Sequence, residues 1–206
     1  MMGNKKDLLI IFTRNPVLGQ CKTRLAASVG DQAALEIYKF LLQHTAAVSA
    51  PLNTDKRVYY SDRIGRDDVW DEKIFTKALQ QGADLGQRMT VAFREGFEDE
   101  YDRIVIIGSD LFDLNEEDLA MAFEKLRLHD FVLGPALDGG YYLLGMRQYT
   151  PALFTNKDWG SPEVLKQTLS DLEGEDCYLL PPKNDVDVLE DIIDNPAFLP
   201  FIKDRI

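Results

Sequence analysis

Thiol and imidazole are scarce in this chain, which carries two cysteines and two histidines in 206 residues. Cys21 and Cys177 lie far apart and outside any CxxC spacing, which argues against a zinc-ligand set and a disulfide framework and fits a reduced, cytosolic setting. His44 falls inside a helix-period segment and His129 at the end of another. Neither neighbours a nucleophile motif, so both read as structural or solvent-facing. There is no GxSxG elbow and no HExxH pair. Positive charge is also in short supply: 23 Lys and Arg stand against 35 Asp and Glu, for a formal net charge of -12, and no Lys/Arg-rich run gathers the cations. Such a chain repels a polyphosphate, which argues against nucleic acid as a partner. No apolar run approaches the roughly 20 residues that cross a bilayer. The opening "MMGNKKDLLIIF" reaches a polar threonine after a short apolar run, so neither a signal peptide nor a membrane span is expected and a cytoplasmic protein is. Both common phosphate fingerprints are missing as well. Gly19 is separated from Lys22 only by Gln20 and Cys21, which is not GxxxxGK[ST], and GxGxxG does not occur.

What is present is an alternation of apolar runs and amphipathic stretches, with 45% hydrophobic residues, enough for one well-buried core and hence a single domain over 1–206. The runs at 7–12, 57–61, 103–109, 131–136, 141–146 and 177–181 read as short strands, several apolar on both faces. Between them, 31–48 places Leu35, Tyr38, Leu41, Leu42 and Thr45 on one side of a helix, and 116–127 does the same with Leu119, Ala122, Phe123 and Leu126. Helices alternating with strands mean βαβ units, so the expected architecture is α/β with a mostly parallel sheet. Asn115 before "EED", Ser161-Pro162-Glu163, and Asp187 followed by Glu190 read as helix starts. The tail "NPAFLPFIKDRI" is too apolar to stay exposed and is expected to fold back on the body.

Ligands in open parallel sheets sit beyond the carboxyl ends of strands, which gives weight to the residues that follow each run. After the first comes "NPVLGQCKTRLA", a proline- and glycine-shaped loop that delivers Lys22, Thr23 and Arg24 into the start of a helix. It is either a solvated basic turn or an anion site, with Arg24 suited to a bidentate phosphate contact and Lys22 to a point-charge contact. Asp110 follows "RIVIIGS" and is either a cation ligand or a turn aspartate. In "GPALDGGYYLLG", Gly139 and Gly140 permit close backbone approach to a ligand with Asp138 at the lip, and a plain Asp-Gly hairpin turn explains the same letters. Asp185 and Asp187 form a DxD whose oxygen ligands suit Mg²⁺ or Mn²⁺, although Asp187 with Glu190 also has capping-box spacing. Arg88 sits in the first turn of a helix predicted after "GADLG". Cys21 beside Lys22 reads as an incidental small residue. Trp70 and Trp159 read as core or rim, with Trp159 in a loop where it could stack on a ring.

In order along the chain, "NPVLGQCKTRLA", "GADLGQRM", "IGSDLFDL", "GPALDGGYYLLG", "DWGSPEVLKQT" and "DVDVLEDI" resemble the bacterial glycosyltransferase-like family of nucleotide-diphospho-sugar transferases, from Leu9 to about Ile192. The resemblance implies a GT-A type, Rossmann-like α/β/α sandwich around a mixed, mostly parallel sheet. Lys22, Thr23, Arg24 and Leu25 match the family's KTRL segment. Ser109 and Asp110 match its Ser-Asp pair, which implies Asp110 as a metal aspartate, while Leu111-Phe112 replace the usual Cys-Pro and alter the adjoining loop. Asp185 and Asp187 match the late Asp-x-Asp, with Val188-Leu189 in place of Thr-Pro.

The function so implied is a metal-dependent glycosyltransferase with a nucleotide-diphospho-sugar donor and a small-molecule acceptor. Asp110, Asp187 and Asp185 would hold Mg²⁺ or Mn²⁺ at the diphosphate. Lys22, Thr23, Arg24, Arg88, Gly139 and Gly140 would bind the nucleotide or substrate, and Asp138, with Lys22, would serve the chemistry as the acceptor's base or orienting group. Two alternatives use the same residues. One is nucleotidylyl transfer to a phosphorylated small molecule, which the absence of an LAAGxGTR-like loop disfavours; the other is a nucleotide-binding module without turnover, which Leu111-Phe112 favours.

Overall fold

A computed structural model describes residues 6–203. The sequence reading of the N-terminal segment therefore falls in part, and that of the last three tail residues wholly, outside the described residues. The central strands β1 (Asp7–Thr13) and β4 (Arg103–Ile107) pair in parallel, and Leu8 to Ile11 and Ile104 to Ile107 are almost entirely inaccessible. Such continuous apolar runs are stable only where helices cover both faces of the sheet. The flanking strands are β2 (Asp55–Tyr60), β3 (Thr76–Leu79), β5 (Phe131–Pro135), β6 (Tyr141–Met146) and β7 (Cys177–Leu179). They complete one seven-stranded sheet in the order β3-β2-β1-β4-β6-β5-β7. Only β6 runs against its neighbours, so the sheet is mixed and mostly parallel as expected. β3 is an addition to the sequence reading.

Side-chain alternation along β1 divides the core into layers. Leu9 and Ile11 pack with Leu42 of α2 (Asp31–Ser49) and with Leu119 and Phe123 of α4 (Glu116–Lys125). Leu8 and Ile10 face the other way, toward Met89, Ala92 and Phe93 of α3 (Leu85–Glu98). A third cluster lies outside α2, where Ile37 and Leu41 meet Leu25 of α1 (Thr23–Val29) and Ile202 of α6 (Leu199–Ile202). Phe198, next to α6, belongs to this cluster and is wholly buried, so the described part of the tail does fold back.

Asn115 forms the expected capping box with Asp118, and Asp84 caps α3 by accepting from the Gln87 N–H. Ser161 Oγ accepts from the Glu163 N–H ahead of α5 (Val164–Asp171). The cap assigned to Asp187 is corrected. Asp191 accepts from the backbone N–H groups of Asp187 and Val188, and only a short 3₁₀ turn, Leu189–Asp191, follows. The carboxylate that satisfies those donors lies at the end of the turn, so Asp187 is free to face elsewhere.

At the opposite rim from the strand carboxyl ends, Arg103 Nε meets Asp7 Oδ1 at 2.5 Å, across a cross-strand register pair with both side chains largely buried. Removing one partner strands a buried charge. Arg103→Met is expected to lower unfolding free energy by about 3 kcal/mol, and the double change Asp7→Leu/Arg103→Met to recover most of it. Urea unfolding of the two variants and the unaltered protein checks this.

Candidate active site

The chain leaves β1 for β2 on one side and returns to β4 on the other, so the loops after β1 and β4 diverge and open a crevice between them. The floor of that crevice is a cluster of hydroxyls. Ser109 Oγ donates to Thr13 Oγ1 at 3.2 Å, and the Tyr38 hydroxyl lies 3.4 Å from Thr13 Oγ1 and 3.3 Å from Ser109 Oγ. Tyr38 also accepts from the Arg14 N–H at 2.9 Å, and burial pushes its pKa up. One residue of α2 thereby ties the ends of β1 and β4 together. Asn15 fixes the loop from the other side, accepting from the N–H groups of Asp62 and Arg63.

The basic loop then turns back over the crevice. Lys22 takes a left-handed conformation, φ 50° and ψ 47°, immediately ahead of α1. That conformation is costly for a side chain with a Cβ. Here it aims the ammonium inward, where Lys22 Nζ donates to Asp110 Oδ2 at 2.9 Å with the lysine side chain only 6% exposed. Burial pushes the Lys22 pKa down, but the neighbouring Asp110, helped by Asp187 and Asp185, carries it above its ordinary value. Arg24 pairs with Asp187 in an ion pair that is mostly open to solvent. Arg88 is held by the Gly82 carbonyl at 3.1 Å and by Gln80 Oε1 at 3.2 Å. Gln80 in turn donates to the carbonyls of Thr13 and Tyr59.

Lys22, Thr23, Arg24, Arg88, Asp110 and Asp187 line one cleft of about 620 Å³. Residues far apart in sequence thus converge on one rim. Asp138, Gly140 and Asp185 stand around it differently. Asp138 accepts from the Gly140 N–H in the turn between β5 and β6, and both line an adjoining chamber of about 250 Å³. The hairpin reading of "LDGG" is therefore the observed one. Gly139 faces neither cavity: at φ 91°, a Cβ there would come within 2.2 Å of the Pro162 carbonyl oxygen, so its role is to let the hairpin touch the start of α5.

Asp185 does not line the cleft, and its pKa is pushed up to about 6, first by burial and then by repulsion from Asp110 and Asp138. The folded-state value lies above the unfolded one, so the protonated side chain's contribution is fully present below about pH 4 and is lost as pH rises through about 6. Asp185→Asn, in protein freed of divalent cations, is expected to leave stability unchanged near pH 4 and to raise it by about 1–2 kcal/mol at pH 7. Thermal unfolding across that range tests the difference.

Leu111 and Phe112 are buried or packed against the core; Phe112 stacks near Phe40, Phe198 and His44. The loop change thus anchors α2 to the tail and leaves Asp110 on the cleft. Cys21 is buried, which pushes its thiol pKa up and disfavours the thiolate. His44 Nε2 contacts the Leu114 carbonyl at 2.7 Å and His129 pairs with Asp176, structural roles for both. Sequence reasoning missed Arg14, Thr13, Tyr38 and Gln80, all of which line the cleft. Arg14 was detectable as the first residue beyond β1. Tyr38 was detectable too, because a tyrosine in an apolar helical stripe must find a partner for its hydroxyl.

The fold is that of the nucleotide-diphospho-sugar transferases and cytidylyltransferases. A crystal structure from Desulfovibrio desulfuricans G20, provisionally named a nucleotide-diphospho-sugar transferase, superposes with a TM-score of 0.84 at 31% identity, over 98% of this chain and 95% of that one. More distant is a cytidylyltransferase from Leptospira borgpetersenii, with a TM-score of 0.57 at 14% identity over 91% of this chain and 84% of the other. A 4-diphosphocytidyl-2C-methyl-D-erythritol synthase from Anaerococcus prevotii gives 0.58 at 11% identity, over 95% and 96%. At such identities these two likenesses speak for the fold alone. The chain belongs to the family described as "Uncharacterized protein conserved in bacteria (DUF2064)", which matches residues 44–161. No curated protein matches it.

Proposed function

We propose that the protein is a metal-dependent glycosyltransferase using a nucleotide-diphospho-sugar donor. It is an enzyme of the transferase class, and the Desulfovibrio relative carries the nucleotide-diphospho-sugar name over nearly the whole chain. The observation that carries the reading is the meeting of Lys22, Arg24, Arg88, Asp110 and Asp187 on one cleft. Four cations, Arg14, Lys22, Arg24 and Arg88, outnumber the cleft's carboxylates Asp84, Asp110 and Asp187, a local reversal of sign in a chain whose net charge is -12.

The donor set fits Mg²⁺ or Mn²⁺ held in the sparse manner of phosphate sites, by one or two carboxylates with phosphate and water completing the shell. Among the described residues no group of three His, Cys, Asp or Glu forms a metal cage of its own. Asp110 and Asp187 open onto the cleft, and Asp185 is strained by its acidic neighbours, a repulsion that a cation relieves. Asp110 and Asp187 would hold the ion, with Asp185 adding negative charge nearby, and the bound ion would supply Lewis-acid stabilisation of a diphosphate leaving group. Lys22, released from Asp110, would donate to a phosphate oxygen, and Arg24 and Arg88 would neutralise the remaining charge. Asp138, on the wall of the adjoining chamber, would orient the acceptor or take its proton.

Nucleotidylyl transfer remains the second reading, favoured by the fold shared with cytidylyltransferases. Release of pyrophosphate rather than of a nucleoside diphosphate distinguishes it. For the leading reading, nucleotides and nucleotide-sugars are screened by thermal shift with and without Mn²⁺, then again on Asp110→Ala. A ligand shift whose Mn²⁺-dependent part vanishes in the variant is expected. An unchanged shift would remove Asp110 from the site.

A further inference from the structure

Phe12, Leu85 and Gly108 border both the diphosphate cleft and the 250 Å³ chamber, so the two spaces adjoin. The chamber's other walls include Met89, Tyr141, Trp159 and Val164. The Trp159 indole is pressed against Gly86 of α3, where any Cβ would come within 2.5 Å of its Nε1, so the ring is fixed as a wall. An apolar cavity of about 150 Å³ is enough for benzene. This one has room for a substituted six-membered ring.

The chamber is mostly apolar, and the Tyr141 hydroxyl on its wall lacks a good partner. Burial pushes the Tyr141 hydroxyl above its usual pKa range, and its hydrogen-bond contact is Met89 Sδ at 3.8 Å, a weak acceptor. A polyhydroxylated sugar placed here would leave most of its hydroxyls without partners, at about a tenfold loss of affinity for each. A single acceptor atom opposite Tyr141 would be welcome. Asp138 places a carboxylate on the same chamber's wall.

We infer that this chamber binds the non-reacting end of the acceptor substrate, and that this end is an apolar ring bearing one hydrogen-bond acceptor rather than a sugar. The assignment to an acceptor rests on the transferase reading; the preference of the chamber does not. Acetophenone, a ring with one carbonyl, is the probe, and methyl α-D-glucopyranoside the comparison. With ¹³C-methyl methionine, acetophenone is expected to shift the Met89 methyl signal saturably and to leave the exposed Met121 unchanged, while the glucoside does nothing to either. Tyr141→Phe, which keeps the ring, is expected to weaken acetophenone about fivefold. If Met89 does not respond to acetophenone up to its solubility limit, or responds more readily to the glucoside, the inference is overturned. Calorimetry with uridine and cytidine diphosphates and Mg²⁺ separates the two readings. Diphosphate binding without an acetophenone response rejects the chamber's preference alone; an acetophenone response without diphosphate binding upholds that preference and rejects the nucleotide-diphospho-sugar donor.

Discussion

Lys22→Met is expected to weaken nucleoside-diphosphate binding by roughly 10–100-fold, the value of a charge-assisted hydrogen bond at a site shielded from water. The Lys22 side chain is 6% exposed, whereas that of Arg24 is 72% exposed. Solvent screens Arg24, so Arg24→Ala is expected to cost less than about fivefold. Because its acidic neighbours hold the Lys22 pKa above the ordinary value, the ammonium persists throughout neutral and mildly alkaline pH, and the contrast should not vary there. Lys22→Gly separates binding from backbone cost. It removes the same charge but relieves the left-handed conformation at residue 22, so it should unfold about 1 kcal/mol later than Lys22→Met while binding equally poorly. Calorimetric titration and urea unfolding of the three variants supply the readouts; a loss under threefold for Lys22→Met would take this lysine out of the phosphate site.

The largest expected effect on stability lies in the third hydrophobic cluster. Phe198 is wholly buried, with its ring 5.6 Å from Phe40 and 4.9 Å from Phe112, both in edge-on arrangements. Phe198→Ala should cost about 3–5 kcal/mol, combining lost transfer energy with a cavity that α2 and the short α6 cannot close. Denaturant unfolding measures the loss, and Phe198→Leu, which keeps most of the volume, should recover more than half of it. A cost below about 1 kcal/mol for the alanine variant would mean that the tail is not part of the core.

Sequence alone made the interior strands legible, because "LLIIF" and "IVII" are apolar without interruption and only a sheet covered on both faces tolerates that. β3 escaped because "TKAL" is a four-residue edge strand with no buried face, its side chains exposed or half exposed, and so it carries no period for a pattern to detect. Missing β3 also hid Gln80, which lies just beyond it and positions Arg88. The rim loops were readable through one topological rule that gives weight to residues following strands, and Lys22, Arg24, Asp110 and Asp187 all satisfied it. Tyr38 did not, since its spacing marked it as core and nothing in the spacing shows which way a hydroxyl at the end of a buried ring points. Asp191 was invisible for a similar reason: both it and Glu190 stand near the DxD, and only folded backbone geometry decides which carboxylate reaches the free N–H groups.

The third hydrophobic cluster joins residues near position 30 to residues near position 200. Ribosomes deliver these in opposite order, so Leu25, Ile37 and Leu41 leave the tunnel long before Phe198 and Ile202 exist. Until then the outer flank of α1 and α2 stays wet and available to chaperones, and the nascent chain cannot reach its final cooperativity from the sheet alone. Contacts of such sequence separation are entropically late. The loop bearing Lys22 leads into that flank, so it should settle only after residues near 200 have emerged.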